Sequence, residues 1–283
     1  YLFSTNYYLF IYTYIILFFL GLLSDLKILD SAKKRFFIQI IIILSFTFVV
    51  QLEVIPTKIV FFDNLIENTY WSFIFTTFCL MILINGSNFI DGLNGLLLGY
   101  SLLIILTLFN LDLISLLNFS KEAFYCFILV VLFLFVLNMS NRLFLGDNGA
   151  YSLSFLIGFI LIKIYNLNQT ISPYFIILLI WYPCFENLFS IIRKILIKKN
   201  PLEPDTGHFH QKLFILFKKK FKLTNFKSNI LSSLLILFLN FGIFYIASLK
   251  ISHSIFQLTL LFLSVSFYLI IYLSINKLIK KNY

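Results

Sequence analysis

The sequence is poor in charge. Only 12% of its 283 residues are Asp, Glu, Lys or Arg, while 60% are hydrophobic. Soluble domains carry about 25% charged and about 45–50% apolar residues. A soluble globular enzyme, a disordered chain and a nucleic-acid-binding domain are therefore excluded. The mean hydropathy of +0.97 makes lipid the solvent for most of the chain. Cysteine is scarce as well. Cys79, Cys126 and Cys184 lie far apart, in or beside apolar runs, with no CxxC or metal spacing. Neither a disulfide framework nor a thiolate metal site fits. Internal repeats and Gly/Ser linkers are lacking, so no separate soluble domain is expected. No Met precedes Tyr1, and an apolar run follows almost at once, which leads us to expect further sequence upstream.

What is present is a series of apolar runs, at about 7–23, 37–50, 71–86, 93–109, 122–138, 149–166, 172–190, 229–249 and 253–275. They are continuous rather than alternating, which favours helices over the strands of a lipid-facing barrel. The expected fold is an all-α, polytopic membrane bundle of about nine transmembrane helices, with 1–283 as one membrane domain. The net charge is +10, from 22 Lys+Arg against 12 Asp+Glu. Most of the basic residues fall in four places: Lys27 to Arg35, Arg142, the long loop between Arg193 and Lys227, and Lys277 to Lys281. Alternating crossings would put all four on one side, which the positive-inside rule makes cytoplasmic. Basic loops also suit anionic lipid heads and phosphorylated substrates. The opposite side holds Glu53, Asp63 and Glu67, with Tyr70 and Trp71 at the interface.

Four polar islands interrupt this background, all on or beside the expected cytoplasmic side. Charges near membrane depth are costly and are retained mostly where they face a cavity or a partner. The first island runs from Asn85 to Leu96 and includes Asn88, Asp91, Gly92, Asn94 and Gly95. Its amides and carboxylate could bind a sugar or a base, or could form a polar contact between helices. The second runs from Phe144 to Gly149, with Asn138 and Arg142 before it. Asp147 there could cap a helix or ligate Mg²⁺. The third, Pro201 to Gln211, holds Asp205, His208 and His210 in the most basic loop. Its histidines could donate to phosphate oxygens or bind metal, or the segment could be an ordinary solvated loop. The fourth holds Ser24 and Asp25, followed by Lys27, Lys33, Lys34, Arg35 and Gln39. Asp25 could be a base or a phosphate-site partner, or a helix-end residue paired with a lysine. His253 reads as a turn residue without a functional role.

Taken in order, the islands resemble the polyprenyl-phosphate N-acetylhexosamine-1-phosphate transferases, relatives of the phospho-muramoyl-pentapeptide translocase. Asn85 to Leu96 matches NxxNxxDGxxGL, Phe144 to Gly149 matches FxGDxG, and Pro204 to His210 matches PDxxHxH. Gly21 to Asp25 matches the family's Asp loop in part. The resemblance covers roughly residues 20–215. The chain departs from the family pattern at Ser24, where a second Asp is usual, at Asn94, where Asp is often found, near Glu186, where an Asp is usual, and at Gln211, where His is usual.

The resemblance implies an enzyme of the inner bacterial membrane with its site on the cytoplasmic face. A UDP-N-acetylhexosamine would give its sugar-1-phosphate to a polyprenyl phosphate, releasing UMP and beginning an envelope polysaccharide. The implied cofactor is Mg²⁺, with Mn²⁺ as a substitute, and a homodimer is compatible with the family. Asp147 would be the main metal ligand and Asp91 a second. Asn85, Asn88, Asn138 and Arg193 would place substrate. Asp25 would contact or deprotonate the lipid phosphate, and His208 and His210 would bind the diphosphate. The residue types suit such chemistry, because a phosphate anion must approach a diphosphate anion. Like charges at 4 Å repel by about 1 kcal/mol in water and more at lower dielectric. Two other readings remain: a relative that has kept the fold and lost the chemistry, and a membrane transporter.

Overall fold

The computed structural model describes residues 2–54, 56–117, 120–198, 200 and 206–281. Asp205 and the prolines beside it lie outside the described residues. Among the described residues there is no strand. The helices in chain order are α1 (Leu2–Asp25), α2 (Ala32–Val50), the short α3 (Val60–Ile66), α4 (Thr69–Ile90), α5 (Leu96–Asn110), α6 (Lys121–Met139), α7 (Gly146–Leu167), α8 (Pro173–Leu196), α9 (Phe209–Lys220), α10 (Asn225–Ser248) and α11 (Ser254–Lys281).

Each of the nine apolar runs forms a helix. Seven of these, α1, α4, α6, α7, α8, α10 and α11, are long and apolar enough to cross a membrane. The other two fall short for physical reasons. α2 opens on Lys33, Lys34 and Arg35, and α5 has 15 residues. The chain is thus a polytopic helical membrane protein. Phe133, Phe238 and Phe267 are exposed on the spans, as side chains facing lipid can be.

Hydroxyl residues start several of the helices. Ser31, Ser120, Ser172 and Thr224 each accept a backbone N–H of the first turn. These caps satisfy donors that a helix cannot pair internally. Ser31 explains why α2 begins before its apolar run and includes the basic residues.

The chain divides into two compact units. The first comprises residues 1–88 and 145–169. Leu17, Leu20, Ile43, Phe46, Leu80, Ile84 and Phe155 share its core. The Phe10 and Phe159 rings stack at 4.5 Å, and Phe46 meets Phe155 edge-on at 5.1 Å. A hydrogen bond of 3.0 Å joins the hydroxyls of Thr47 and Thr77, linking α2 to α4. α1 lies along α7, and Gly21 permits the approach: a Cβ there would sit 2.3 Å from Asn148 Cα. Gly158 does the same for α7 on α4, where a Cβ would sit 2.6 Å from Leu80 Cδ2.

The second unit comprises residues 89–144 and 170–283. α10 packs on α5, α8 and α9, while α11 packs on α8 and α9. An aromatic seam holds α8 to α11: Tyr268 meets Phe185 edge-on at 5.0 Å, and Tyr272 meets Phe189 in the same way at 5.0 Å. Trp181 Nε1 donates to Asn240 Oδ1 at 2.9 Å, satisfying a polar pair between α8 and α10.

These packings carry a stability prediction. Gly21→Ala should cost about 1–3 kcal/mol, because its neighbour is backbone and cannot swing away. Gly158→Ala should cost less, because leucine methyl groups can shift. Thermal unfolding of the purified protein ranks the two, and an equal loss would contradict the backbone contact.

Candidate active site

In the first unit the site is built where the end of α1 meets the start of α7. The α7 helix begins on Gly146, with φ +69°. A side chain at that position would be strained, and its Cβ would lie 2.6 Å from Asp25 Oδ2. The close approach lets Asp25 do what Asp147 was one candidate to do. Asp25 Oδ1 accepts from Asp147 N at 3.0 Å, and Oδ2 accepts from Asn148 N at 3.2 Å. Asp25 therefore caps α7 from another helix, where its charge also suits the positive end of the dipole. The pairing of Asp25 with a lysine is not what the structure shows.

With capping supplied by Asp25, the carboxylate of Asp147 has other partners. Ser24 Oγ donates to its Oδ2 at 2.6 Å, and Tyr151 OH donates to the same oxygen at 3.1 Å. Arg35 Nε lies 3.9 Å from it. Arg35 is itself anchored, donating through Nη1 to Leu29 O and Asp30 O at 2.9 Å each. Among the described residues, the three partners of the carboxylate all address Oδ2, which leaves Oδ1 as a hard-oxygen donor on a side chain that is 23% exposed. Asn85 and Asn88 are half-buried near the end of α4. Asn85 Nδ2 donates to Met81 O at 2.9 Å and to Gln39 Oε1 at 3.3 Å.

In the second unit, Asp91 follows the end of α4 and is half-buried. The glycine turn after it is held by asparagines. Asn138, buried, accepts from Gly95 N through Oδ1 and donates to Leu143 O at 2.7 Å. Asn94 N donates to Asn229 Oδ1 at 2.9 Å, and Asn94 Nδ2 donates to Asn141 Oδ1 at 2.8 Å. Gly95 has φ +78°, and a Cβ would lie 2.0 Å from Met139 Sδ. Here Asn138 shapes the turn that carries Asp91.

The histidines gather around a residue that the sequence reading noted only as a departure. Glu186, in the middle of α8, is 1% exposed. Its Oε2 lies 3.0 Å from His208 Nδ1, while Oε1 accepts from Phe209 N at 3.0 Å and from Tyr268 OH at 2.7 Å. The His208 ring lies 5.0 Å from Phe89 and is stacked 5.6 Å from His210. His210 is wholly buried, and neither ring nitrogen has a hydrogen-bond partner among the described residues. A Cβ on Gly92 would lie 3.0 Å from its Nε2, so the HxH segment packs on the Asp91–Gly92 turn. Burial pushes the His210 imidazole down to about 4, against the upward pull of Glu186, so it is neutral at pH 7. Lys194, also buried, points its Nζ at Phe89 from 5.9 Å. Arg193 donates to Tyr272 OH at 3.1 Å and to Ser190 Oγ at 3.3 Å. Tyr272 OH in turn donates to Gly207 O at 3.0 Å, which ties the approach to α9 to α8 and α11.

The sequence-predicted residues thus form two constellations. Asp25 and Asp147 meet in the first unit, and His208 and His210 stack in the second. Gly92, beside Asp91, lies against the His210 ring. Ser24, Arg35 and Tyr151 join the first group, and Glu186, Tyr268 and Lys194 join the second. Glu186 had a signal, a lone acid inside an apolar run. Tyr151 had a weaker one, its position four residues after Asp147. Tyr268 had none. His253 is exposed and accepts from Phe256 N at 3.1 Å, in keeping with a turn role.

A divalent ion fits the first group in a limited way. Among the described residues, no three His, Cys, Asp or Glu side chains cluster to enclose a metal. Mg²⁺ is commonly held by one or two carboxylates and completed by water and substrate phosphates. Asp147 Oδ1 offers such a carboxylate oxygen.

Residues 7–165 match the model of glycosyl transferase family 4. The chain is 30% identical over 203 residues to a probable undecaprenyl-phosphate N-acetylglucosaminyl 1-phosphate transferase of Bacillus subtilis (strain 168), over 69% of this chain and 54% of that protein. It is 27% identical over 195 residues to the undecaprenyl-phosphate alpha-N-acetylglucosaminyl 1-phosphate transferase of Thermotoga maritima, over 69% of this chain and 57% of that protein. The chain therefore spans about half the length of these curated relatives. The matched segment contains both the Asp25–Asp147 contact and the Asn85–Asp91 segment, and with it the chain belongs to glycosyl transferase family 4.

Proposed function

We propose that the protein transfers a sugar-1-phosphate from a UDP-N-acetylhexosamine to undecaprenyl phosphate. UMP leaves, and the product is a polyprenyl diphosphate sugar that starts an envelope polysaccharide. The relatives' names supply the acceptor and the sugar class. The observation that carries the reading is the carboxylate of Asp147, held at one oxygen by Ser24, Tyr151 and Arg35 and open at the other.

Asp147 would hold Mg²⁺ or Mn²⁺ through its open carboxylate oxygen. Bound by Asp147, such an ion would supply charge neutralisation at the diphosphate and so would favour departure of UMP. The chain's own residues do the remaining work. Asp25 fixes the first turn of α7 and so aims Asp147. Asp25 is exposed, and its remaining lone pairs can take a proton from the lipid phosphate. Asn85 and Asn88 supply amides for the sugar or uracil. His208 offers its imidazole to the diphosphate, with Lys194 and Arg193 adding positive charge in the same unit. An ionised phosphate is already a competent nucleophile, so we favour one direct displacement. The basic loops support a reading with this chemistry on the cytoplasmic side of the inner membrane.

Asp147→Ala should abolish metal-dependent UMP release in membranes while the protein still inserts. Full activity in that variant would defeat the assignment. Ser24→Ala should lower turnover about 10–100-fold, as for other groups that orient a ligating carboxylate. An unchanged metal requirement and rate would show that Ser24 has no part in it. His208→Ala should lose UMP release with insertion intact, whereas parallel loss of both would assign His208 to folding alone.

A further inference from the structure

Glu186 lies inside an apolar helix, 1% exposed, with its two oxygens used unequally. Oε1 takes two donors, the Phe209 N–H at 3.0 Å and the Tyr268 O–H at 2.7 Å. Oε2 faces His208 Nδ1 at 3.0 Å. A backbone N–H cannot become an acceptor, so Phe209 always requires an oxygen at the Oε1 position. A carboxylate has no proton to give and so requires a donor at Nδ1. The contact therefore decides where the imidazole carries its proton.

We infer that Glu186 is a positioning residue that keeps the His208 proton on Nδ1 and gives Nε2 the acceptor lone pair. When Nε2 takes a proton, the buried carboxylate stabilises the resulting imidazolium. A carboxylate behind an imidazole is a familiar way to fix tautomer and orientation together. Tyr268 supports the arrangement from α11, well beyond the family-matched segment. Its hydroxyl occupies Oε1 and so directs Oε2 to the histidine. The catalytic consequence rests on the role of His208 given under Proposed function, but the tautomer does not.

Glu186→Gln makes the inference sharp. The amide oxygen must stay with Phe209 N–H and Tyr268 O–H. The amide NH₂ then occupies the place of Oε2 and faces Nδ1. A donor facing Nδ1 requires a bare nitrogen there, so the proton should move to Nε2. The size of the side chain hardly changes, while the tautomer inverts.

The chain has three histidines, which suits selective ¹⁵N-histidine labelling of the full protein in nanodiscs. The His208 signals are identified by their disappearance in H208N. At a pH where the ring is neutral, the wild type should show a protonated Nδ1, and E186Q a protonated Nε2. Y268F should keep the wild-type tautomer. A wild-type spectrum with the proton on Nε2 would overturn the inference even if E186Q fails to fold. So would an E186Q spectrum that still has it on Nδ1. In UMP-release assays on folded protein, E186Q should lower kcat by about tenfold or more with little change in KM for the UDP-sugar. An inverted tautomer with unchanged kcat would refute the catalytic part. A wild type that releases no UMP from any UDP-N-acetylhexosamine, yet shows the Nδ1 proton and its inversion in E186Q, would refute the proposed reaction and uphold the positioning contact.

Discussion

A carboxylate that leaves water must find its donors within the protein. In this chain that constraint organises the constellation around Glu186 outright, and a milder form of it shapes the one around Asp147. Charges are so few that each buried acid must be answered by specific partners. Glu186 is answered by a backbone N–H, a phenol and an imidazole. Asp25 stays exposed to solvent, yet it too takes donors from the protein, two N–H groups at the start of another helix. In each case the partners come from distant parts of the sequence. The acid thereby sets the geometry of the residues that would meet substrate.

This division of labour explains the use of two adjacent polar residues at the end of α1. Ser24 and Asp25 approach the same helix start but serve different groups. The longer acid reaches the backbone, and the shorter hydroxyl reaches the carboxylate of Asp147. A second acid at position 24 would face Asp147 as a like charge unless a cation or a proton intervened. The hydroxyl gives the chain a neutral solution, with Arg35 supplying the nearby positive charge.

Much of the architecture was legible in the sequence because lipid demands long apolar runs, and all nine runs are helices. Their suitability as spans was less legible. The start of α2 depended on a serine cap outside its apolar run, and α5 begins only after the left-handed Gly95. The motifs marked Asp147 and His208 but could not separate capping from chemistry at Asp147. That choice depended on Asp25, 122 positions away. Glu186 could be noticed as an acid out of place, yet its partner Tyr268 is one aromatic residue among many in a chain with 16 Tyr and 37 Phe. Where one residue type is so abundant, its pattern carries little information, and only contact reveals the tyrosine that donates.

The cap that joins α1 to α7 has a consequence for biogenesis. At synthesis rates of about 5–20 residues per second, α1 leaves the ribosome roughly ten seconds before α7 can meet it. During that interval the Asp25 carboxylate has no helix start to satisfy it and depends on hydration at the membrane surface. The late arrival of Gly146 completes a contact that the first helix has been waiting to make, so Asp147 comes into register only after α7 has emerged.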